Sequence, residues 1–263
     1  MSDLTQTTLA SSNGARHEDR WTREHEAVSL VRRRSRERPI RFGALPETVE
    51  VDLATCAFVV IDMQNDFLHP EGWFAAERGA DVSPLKTPIV TINELSRAFR
   101  QAEVPVVHLN WGVRPDAANL PANVLDKGSD CGTRAGYADR IGSGPVLVSG
   151  EWGALSLEAI QVEPDDIMVN KHRLSGFRDN EFDQILRRFG ITTLFFAGVN
   201  IDRCVFATLM DGAFQGYDVI LVEDACATVS PEYVTEAILY LVRLLYGFTA
   251  ESTDLLKALT SPK

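Results

Sequence analysis

From residue 54 onward, short apolar runs alternate with stretches of helical periodicity, and this alternation constrains the fold more than any other feature. The runs are CAFVVID, VPVVHLN, DDIMVNK, TTLFFAG and YDVILVED. A strand apolar along its whole length, rather than at every second residue, is one covered on both faces. Between and after the runs lie SPLKTPIVTINELSRAFRQAE, NEFDQILRRFG, DRCVFATLMDGAFQ and SPEYVTEAILYLVRLLYG. Each has apolar residues at helical spacing and punctuation that fits: Ser83 with Pro84 at one start, Gly190 and Gly247 at two ends. Repeated βα units bury such strands only as a parallel sheet with helices on both faces. The expected fold is therefore α/β, a three-layer α-β-α sandwich around a central, mainly parallel sheet. Ligands of such sheets bind beyond the carboxyl ends of the strands.

The chain has 263 residues, enough for a substantial core. Residues 1–50 are expected to be an N-terminal arm, flexible over about residues 1–18 and helical in EDRWTREHEAVSLVRRRSRER up to Pro39; residues 51–263 are the expected domain. The arginines from Arg32 to Arg38 resemble a nucleic-acid patch. Yet residues 1–50 hold nine basic and eight acidic groups, so a solvated helix face or subunit-contact arm is favoured. The net charge of −11 argues against general affinity for nucleic acid or an anionic membrane surface. No apolar run is long enough for a membrane span, and the N-terminus has no apolar core segment of a secretory signal. Four cysteines, Cys56, Cys131, Cys204 and Cys226, stand far apart. That spacing fits free thiols in a reducing cytoplasm. With no GxGxxG or P-loop, nucleotide binding has no support.

Three ionisable residues close three of the apolar runs or follow them: Asp62 in VVIDMQNDF, Lys171 in IMVNKHRLSGF, and Cys204 in AGVNIDRCVF. An ionisable group at a strand end is partly just where the strand meets water, and a free cysteine is usually a small buried hydrophobe. At one edge of one parallel sheet, however, the three make a working set. Asp62 accepts the thiol proton, Lys171 holds the carboxylate and stabilises the thiolate, and Cys204 attacks a carbonyl carbon. Asp202 stands at an N-cap position, which would put Cys204 in the first helical turn, where the helix dipole eases ionisation of a thiol. The competing reading is a buried Asp–Lys ion pair beside an inert thiol.

The segments IDMQNDF (61–67), NKHRLSGF (170–177) and GVNIDRCVFATLMDGAFQGYDVILVEDA (198–225) together resemble the isochorismatase-like cysteine hydrolases, over about residues 52–258. The resemblance implies that family's hydrolase fold and an Asp–Lys–Cys triad at Asp62, Lys171 and Cys204. It also implies a cis peptide at Val199–Asn200 and an oxyanion hole formed by the N–H groups of Asn200 and Cys204. Isochorismatases proper lack the cysteine, so Cys204 points to C–N cleavage. Nicotinamidases carry a histidine-rich metal motif after the second strand, where this chain reads HLNWGVRPD with His108 alone. No metal and no cofactor are expected.

Within the family, LNWGVRPD, RPDAANLPAN, RLSGF and EWGALSLEAI are similar to segments of the ureidoacrylate and biuret amidohydrolases. A planar ureido group needs donors and acceptors inside an apolar pocket. Gln64, Asn110 and Arg173 are the expected polar contacts, with Trp111, Trp152 and Phe177 as walls. Trp152 and Phe177 also suit plain core positions, and Arg173 a surface charge. Glu223 and Asp224 close the last run and are read as structural. The expected protein is a cytoplasmic amidohydrolase of a small linear ureido, carbamoyl or carboxamide compound. The alternatives are a nicotinamidase-like amidase of a cyclic carboxamide and a non-catalytic binding or assembly protein. A homo-oligomer, dimer or tetramer, is expected from the resemblance and from the apolar AILYLVRLLYGF.

Overall fold

In a computed structural model, residues 21–24, 27–31 and 36–260 are described. The expected flexible tail at residues 1–18 and residues 32–35 of the arginine run lie outside them. Contacts divide the chain into two units, residues 1–36 and 37–263. In the first, β1 (Thr22–Glu24) pairs antiparallel with β2 (Ala27–Ser29) where a helix was expected. The described residues of that segment carry no buried apolar stripe, so helical periodicity had nothing to pack against.

The second unit opens with an antiparallel hairpin that the apolar pattern did not announce, β3 (Pro39–Phe42) and β4 (Val49–Asp52). There Ile40, Phe42 and Val51 are buried. The central strands are β5 (Cys56–Ile61), β6 (Val106–Trp111), β9 (Ile167–Lys171), β10 (Thr193–Val199), β11 (Asp218–Ala227) and β12 (Phe248–Ala250), with the small ribbon β7 (Arg140–Ile141) and β8 (Gly144–Pro145) between β6 and β9. The six form one sheet in the order β12-β11-β10-β5-β6-β9, and every adjacent pair is parallel. Three of the apolar runs are covered as expected, β5, β6 and β10 being buried at every residue, whereas β9, at the edge of the sheet, leaves Met168 half exposed, and β11 is only partly buried.

The helices are α1 (Asn65–Leu68), α2 (Trp73–Ala76), α3 (Ile89–Gln101), α4 (Ala122–Gly128), α5 (Phe182–Arg188), α6 (Phe206–Phe214), α7 (Glu232–Leu241) and α8 (Ser252–Thr260). The expected helix from Ser83 is split. Pro84–Lys86 is a 3-10 turn without a Ser83 cap, and α3 begins after Pro88, whose ring cannot sit inside a continuing helix. The connection through α3 crosses the sheet in one direction, from β5 to β6. Those through α6 and α7 cross in the other, from β10 to β11 to β12. Right-handed crossovers place such helices on opposite faces, which gives the three layers.

The strand order reverses between the neighbours β5 and β10. A crevice opens at such a switch point, beyond the strands' carboxyl ends. Asp62 follows β5 and the Cys204 segment follows β10. The two strands approach so closely that a Cβ on Gly198, at φ +113°, would stand 2.1 Å from the carbonyl oxygen of Ile61. Only glycine fits there.

Candidate active site

Asp62 leaves β5 with φ of +53°, a left-handed conformation that aspartate tolerates better than most residues. This turn aims its carboxylate into the crevice rather than along the strand. The Asp62 Oδ2 lies 3.0 Å from Lys171 Nζ at the end of β9, and both side chains are fully buried. Lys171 Nζ also donates to the Arg173 carbonyl at 3.3 Å. Cys204, 5% exposed, stands near enough to Asp62 for the two groups to shift each other's pKa, and Trp111 links them, its backbone N–H donating to Asp62 Oδ1 and its indole N–H to Cys204 Sγ. Three strands therefore bring Asp62, Lys171 and Cys204 together as the sequence suggested.

Cys204 does not sit in an ordinary first α-helical turn. Residues Ile201–Val205 form a π turn that precedes α6. The boundary residue is Asn200, and the Val199–Asn200 peptide is cis. Asp202 is not a cap. Its carboxylate accepts from the Thr228 and Ser230 hydroxyls at 2.5 and 2.8 Å, and so fastens the turn to the loop after β11. The Asn200 side chain accepts from that loop too, through Thr228 Oγ1 and the Val229 N–H.

The resting thiol is correspondingly harder to ionise than a helix N-terminus alone would make it. Burial pushes its pKa up to about 12, the Asp62 charge adds to the rise, and Lys171 and the Trp111 N–H oppose it. Burial also raises the Asp62 pKa, against the pull of Lys171. A neutral thiol thus faces a carboxylate made more basic than an exposed one, the pairing needed to pass a proton from sulfur to oxygen.

Beside Cys204 opens a cavity of about 440 Å³. Its walls include Phe67, Trp73, Phe74, Trp111, Tyr137 and Leu174, and its charged lining residues are Arg78, Lys127 and Arg203. No Asp or Glu stands among the lining residues. The Arg78 guanidinium lies 5.5 Å from the Trp73 ring centroid and donates to the Gly128 carbonyl, while that of Arg203 lies 5.9 Å from the Phe74 ring.

Of the six expected substrate contacts, only Trp111 lines this cavity. The Gln64 amide donates to the Trp111 and Ala154 carbonyls at 2.8 and 2.6 Å and accepts from the Trp111 N–H at 2.8 Å, so its polar atoms are engaged by backbone. Asn110 is turned to Ser156 Oγ. Arg173 binds the Asn119 carbonyl and pairs with Asp179. Trp152 meets the His69 ring, and Phe177 packs on Phe182 and Tyr217. Sequence reasoning missed Trp73, Phe74 and Tyr137. Tyr137 comes from the long excursion between β6 and β9, whose path no periodicity encodes; the aromatic cluster in HPEGWFAAE was the one available signal for the other two.

His108 is buried and its Nε2 lies 3.0 Å from Asp166, which Arg100 also grips. It is a core residue, as expected of a lone histidine in a strand. Among the described residues no group of three His, Cys, Asp or Glu is placed to hold a metal ion. Glu223 and Asp224 are structural, engaged by Arg243 and by Ser252.

A parallel sheet that gathers an acid, a lysine and a cysteine at its switch point, beside an apolar cavity, defines a hydrolase-type site. The chain belongs to the isochorismatase family, whose domain model matches residues 56–253. It is 35% identical over 217 residues to a protein of Azorhizobium caulinodans described as ureidoacrylate amidohydrolase RutB, covering 82% of this chain and 95% of that one. A protein of the same description from Caulobacter segnis is 32% identical, over 82% and 90% of the two chains. Among solved structures, a cysteine hydrolase from Pseudomonas syringae pv. phaseolicola shares the fold at a TM-score of 0.68, with 23% identity over 80% of this chain and 94% of that one. The N-carbamoylsarcosine amidase from Thermoplasma acidophilum gives a TM-score of 0.57 with 26% identity, over 75% and 96%. The protein is an isochorismatase-family hydrolase, with the expected fold.

Proposed function

We propose that this hydrolase cleaves a C–N bond of a small ureido, carbamoyl or carboxamide compound by covalent catalysis at Cys204. The observation that carries the reading is the fully buried Asp62–Lys171 pair beside Cys204, whose sulfur stands at the wall of the cavity. Asp62 takes the thiol proton as sulfur attacks the carbonyl carbon, and Lys171 keeps the rest of the charge balanced. The N–H groups of Asn200 and Cys204 receive the oxyanion. The proton then passes from Asp62 to the leaving nitrogen, which departs as ammonia or an amine and leaves an acyl or carbamoyl thioester. Asp62 next takes a proton from water. The hydroxide carbon–oxygen bond forms, the carbon–sulfur bond breaks, and the thiolate recovers its proton from Asp62. A carbamic acid product can lose carbon dioxide.

A linear ureido acid fits this cavity better than a cyclic carboxamide without charge. Arg78, Lys127 and Arg203 line it with no carboxylate among them, and the curated relatives are described as ureidoacrylate amidohydrolases. Gln64, Asn110, Arg173, Trp152 and Phe177 act here as supports of the site and not as substrate contacts. A cytoplasmic protein that acts on small molecules, and not on nucleic acid or membranes, agrees with the net charge of −11. Among the described residues no helix is long and apolar enough to cross a membrane. Tyr233, Tyr240, Leu244 and Leu245 expose apolar surface along α7 and the turn after it, which supports a homo-oligomer. Light scattering would report its size.

The test is ammonia release from ureidoacrylate, biuret, N-carbamoyl amino acids and nicotinamide. Turnover confined to ureido or carbamoyl acids is expected. Turnover of nicotinamide alone would favour the cyclic-carboxamide reading, and no turnover of any amide would favour a binding protein.

A further inference from the structure

Trp111 ends β6, is 1% exposed, and touches every member of the triad. Its backbone N–H donates to Asp62 Oδ1 at 3.2 Å. The Lys171 ammonium lies 4.3 Å from the indole centroid. The indole Nε1–H donates to Cys204 Sγ at 3.3 Å. Two further residues fix the ring. Gln64 holds the Trp111 backbone through both its N–H and its carbonyl, and Tyr137 stacks on the indole with centroids 4.7 Å apart and planes 26° apart. A plain wall of an apolar cavity would offer a ring face, yet this indole also aims its one polar atom at the reacting sulfur. An indole N–H can only donate, and a donor favours a thiolate over a thiol.

We propose that Trp111 is a fourth catalytic residue. Its indole N–H stabilises the Cys204 thiolate once Asp62 has taken the proton, while its π face holds the Lys171 ammonium against Asp62. The proposal rests on Cys204 being the nucleophile. It also explains the placement of Gln64: with its polar atoms spent on the Trp111 and Ala154 backbone, Gln64 fixes the indole rather than the substrate.

The test replaces Trp111 with 3-benzothienylalanine, which keeps the bicyclic shape and π face but puts sulfur where the N–H was. The readout is the second-order rate of carbamidomethylation of Cys204 by iodoacetamide, followed at the Cys204 peptide with the exposed Cys131 as internal reference. A donor to an anion is worth about ten- to a hundredfold in thiolate population. The more basic thiolate is also more nucleophilic, which recovers about half of that on a logarithmic scale. The Cys204 rate should thus fall about three- to tenfold between pH 7 and 9, with Cys131 unchanged. In Trp111→Phe, which also loses the N–H, the Cys204 rate should fall at least as far. If Trp111 merely packs, Trp111→Phe will lower the melting temperature while the benzothienyl protein alkylates Cys204 at the wild-type rate. That result overturns the proposal. Alkylation needs no substrate, so failure of the substrate screen and failure of this inference are separately visible.

Discussion

Lys171→Met removes one partner of the buried pair and keeps most of the stem. At 3.0 Å, with both groups buried, the attraction between Lys171 and Asp62 is about 5 kcal/mol at an effective dielectric constant near 20. Without it, burial, which already raises the Asp62 carboxyl, is opposed mainly by the Trp111 N–H, and the carboxylate takes up a proton in the folded protein. The unfolded chain keeps an ordinary carboxyl, ionised above about pH 4. Between these two pKa values the folded variant holds one proton more than the unfolded one. Its stability therefore falls as pH rises, by about 1.4 kcal/mol per pH unit, over a window that extends to higher pH than in the wild type, where Lys171 limits the rise of the same carboxyl. Breaking a buried pair costs about 3–5 kcal/mol when the orphan stays charged, so the deficit should approach about 3 kcal/mol at the alkaline end and shrink toward pH 5. The assay is urea denaturation of wild type and variant at half-unit steps from pH 5 to 8, with kcat at each. Because the protonated Asp62 cannot accept the thiol proton, kcat should fall at least about a hundredfold at pH 7. A stability deficit equal at pH 5 and pH 8, or a kcat within tenfold of wild type, would refute the reasoning.

Cys204→Ala should lower kcat more than about a hundredfold while costing only about 1 kcal/mol of stability, since one small buried group is lost but so is the nucleophile; both are read from steady-state kinetics and a urea titration. Asp62→Asn should also cut kcat severely, and the double variant with Lys171→Met should be little worse than the poorer single one, because residues acting as a unit are not additive; losses that multiply would show independent roles. For the wild type, kcat/KM should drop on the acid side as Asp62 gains its proton, with a midpoint above the usual carboxylate range because burial raises that carboxyl. Exhaustive EDTA should leave activity intact; loss restored by zinc or manganese would overturn the metal-free reading. Gly198→Ala should unfold the protein or lower its stability by more than about 3 kcal/mol, since the new methyl group would stand 2.1 Å from the Ile61 carbonyl oxygen at a positive φ; melting reports it.

The sequence by itself determined the α/β class and five of the six sheet strands, but not β12, and it singled out three candidate site residues. Runs apolar at every residue can only be strands buried on both faces, and the helical stretches between them force parallel crossovers. The polar residues that end those runs then gather at one edge, which makes Asp62, Lys171 and Cys204 the candidates that the sequence offers. Tertiary structure decided everything that depends on which way a side chain turns once it reaches that edge. Gln64 reads as a polar group at a pocket but faces backbone; Tyr137 reads as a loop residue but stacks on Trp111 because the excursion from Val113 to Ser149 folds back over β6. The protonation state of Cys204 was also beyond the sequence. A position near a helix start suggests an easily ionised thiol, but burial and the Asp62 charge, which exist only in the folded packing, push it the other way. Which segments are strands and which are helices follows from local patterns that repeat along the chain, whereas strand order, orientation and desolvation arise from contacts between residues far apart in sequence, such as the 93 positions that separate Trp111 from Cys204.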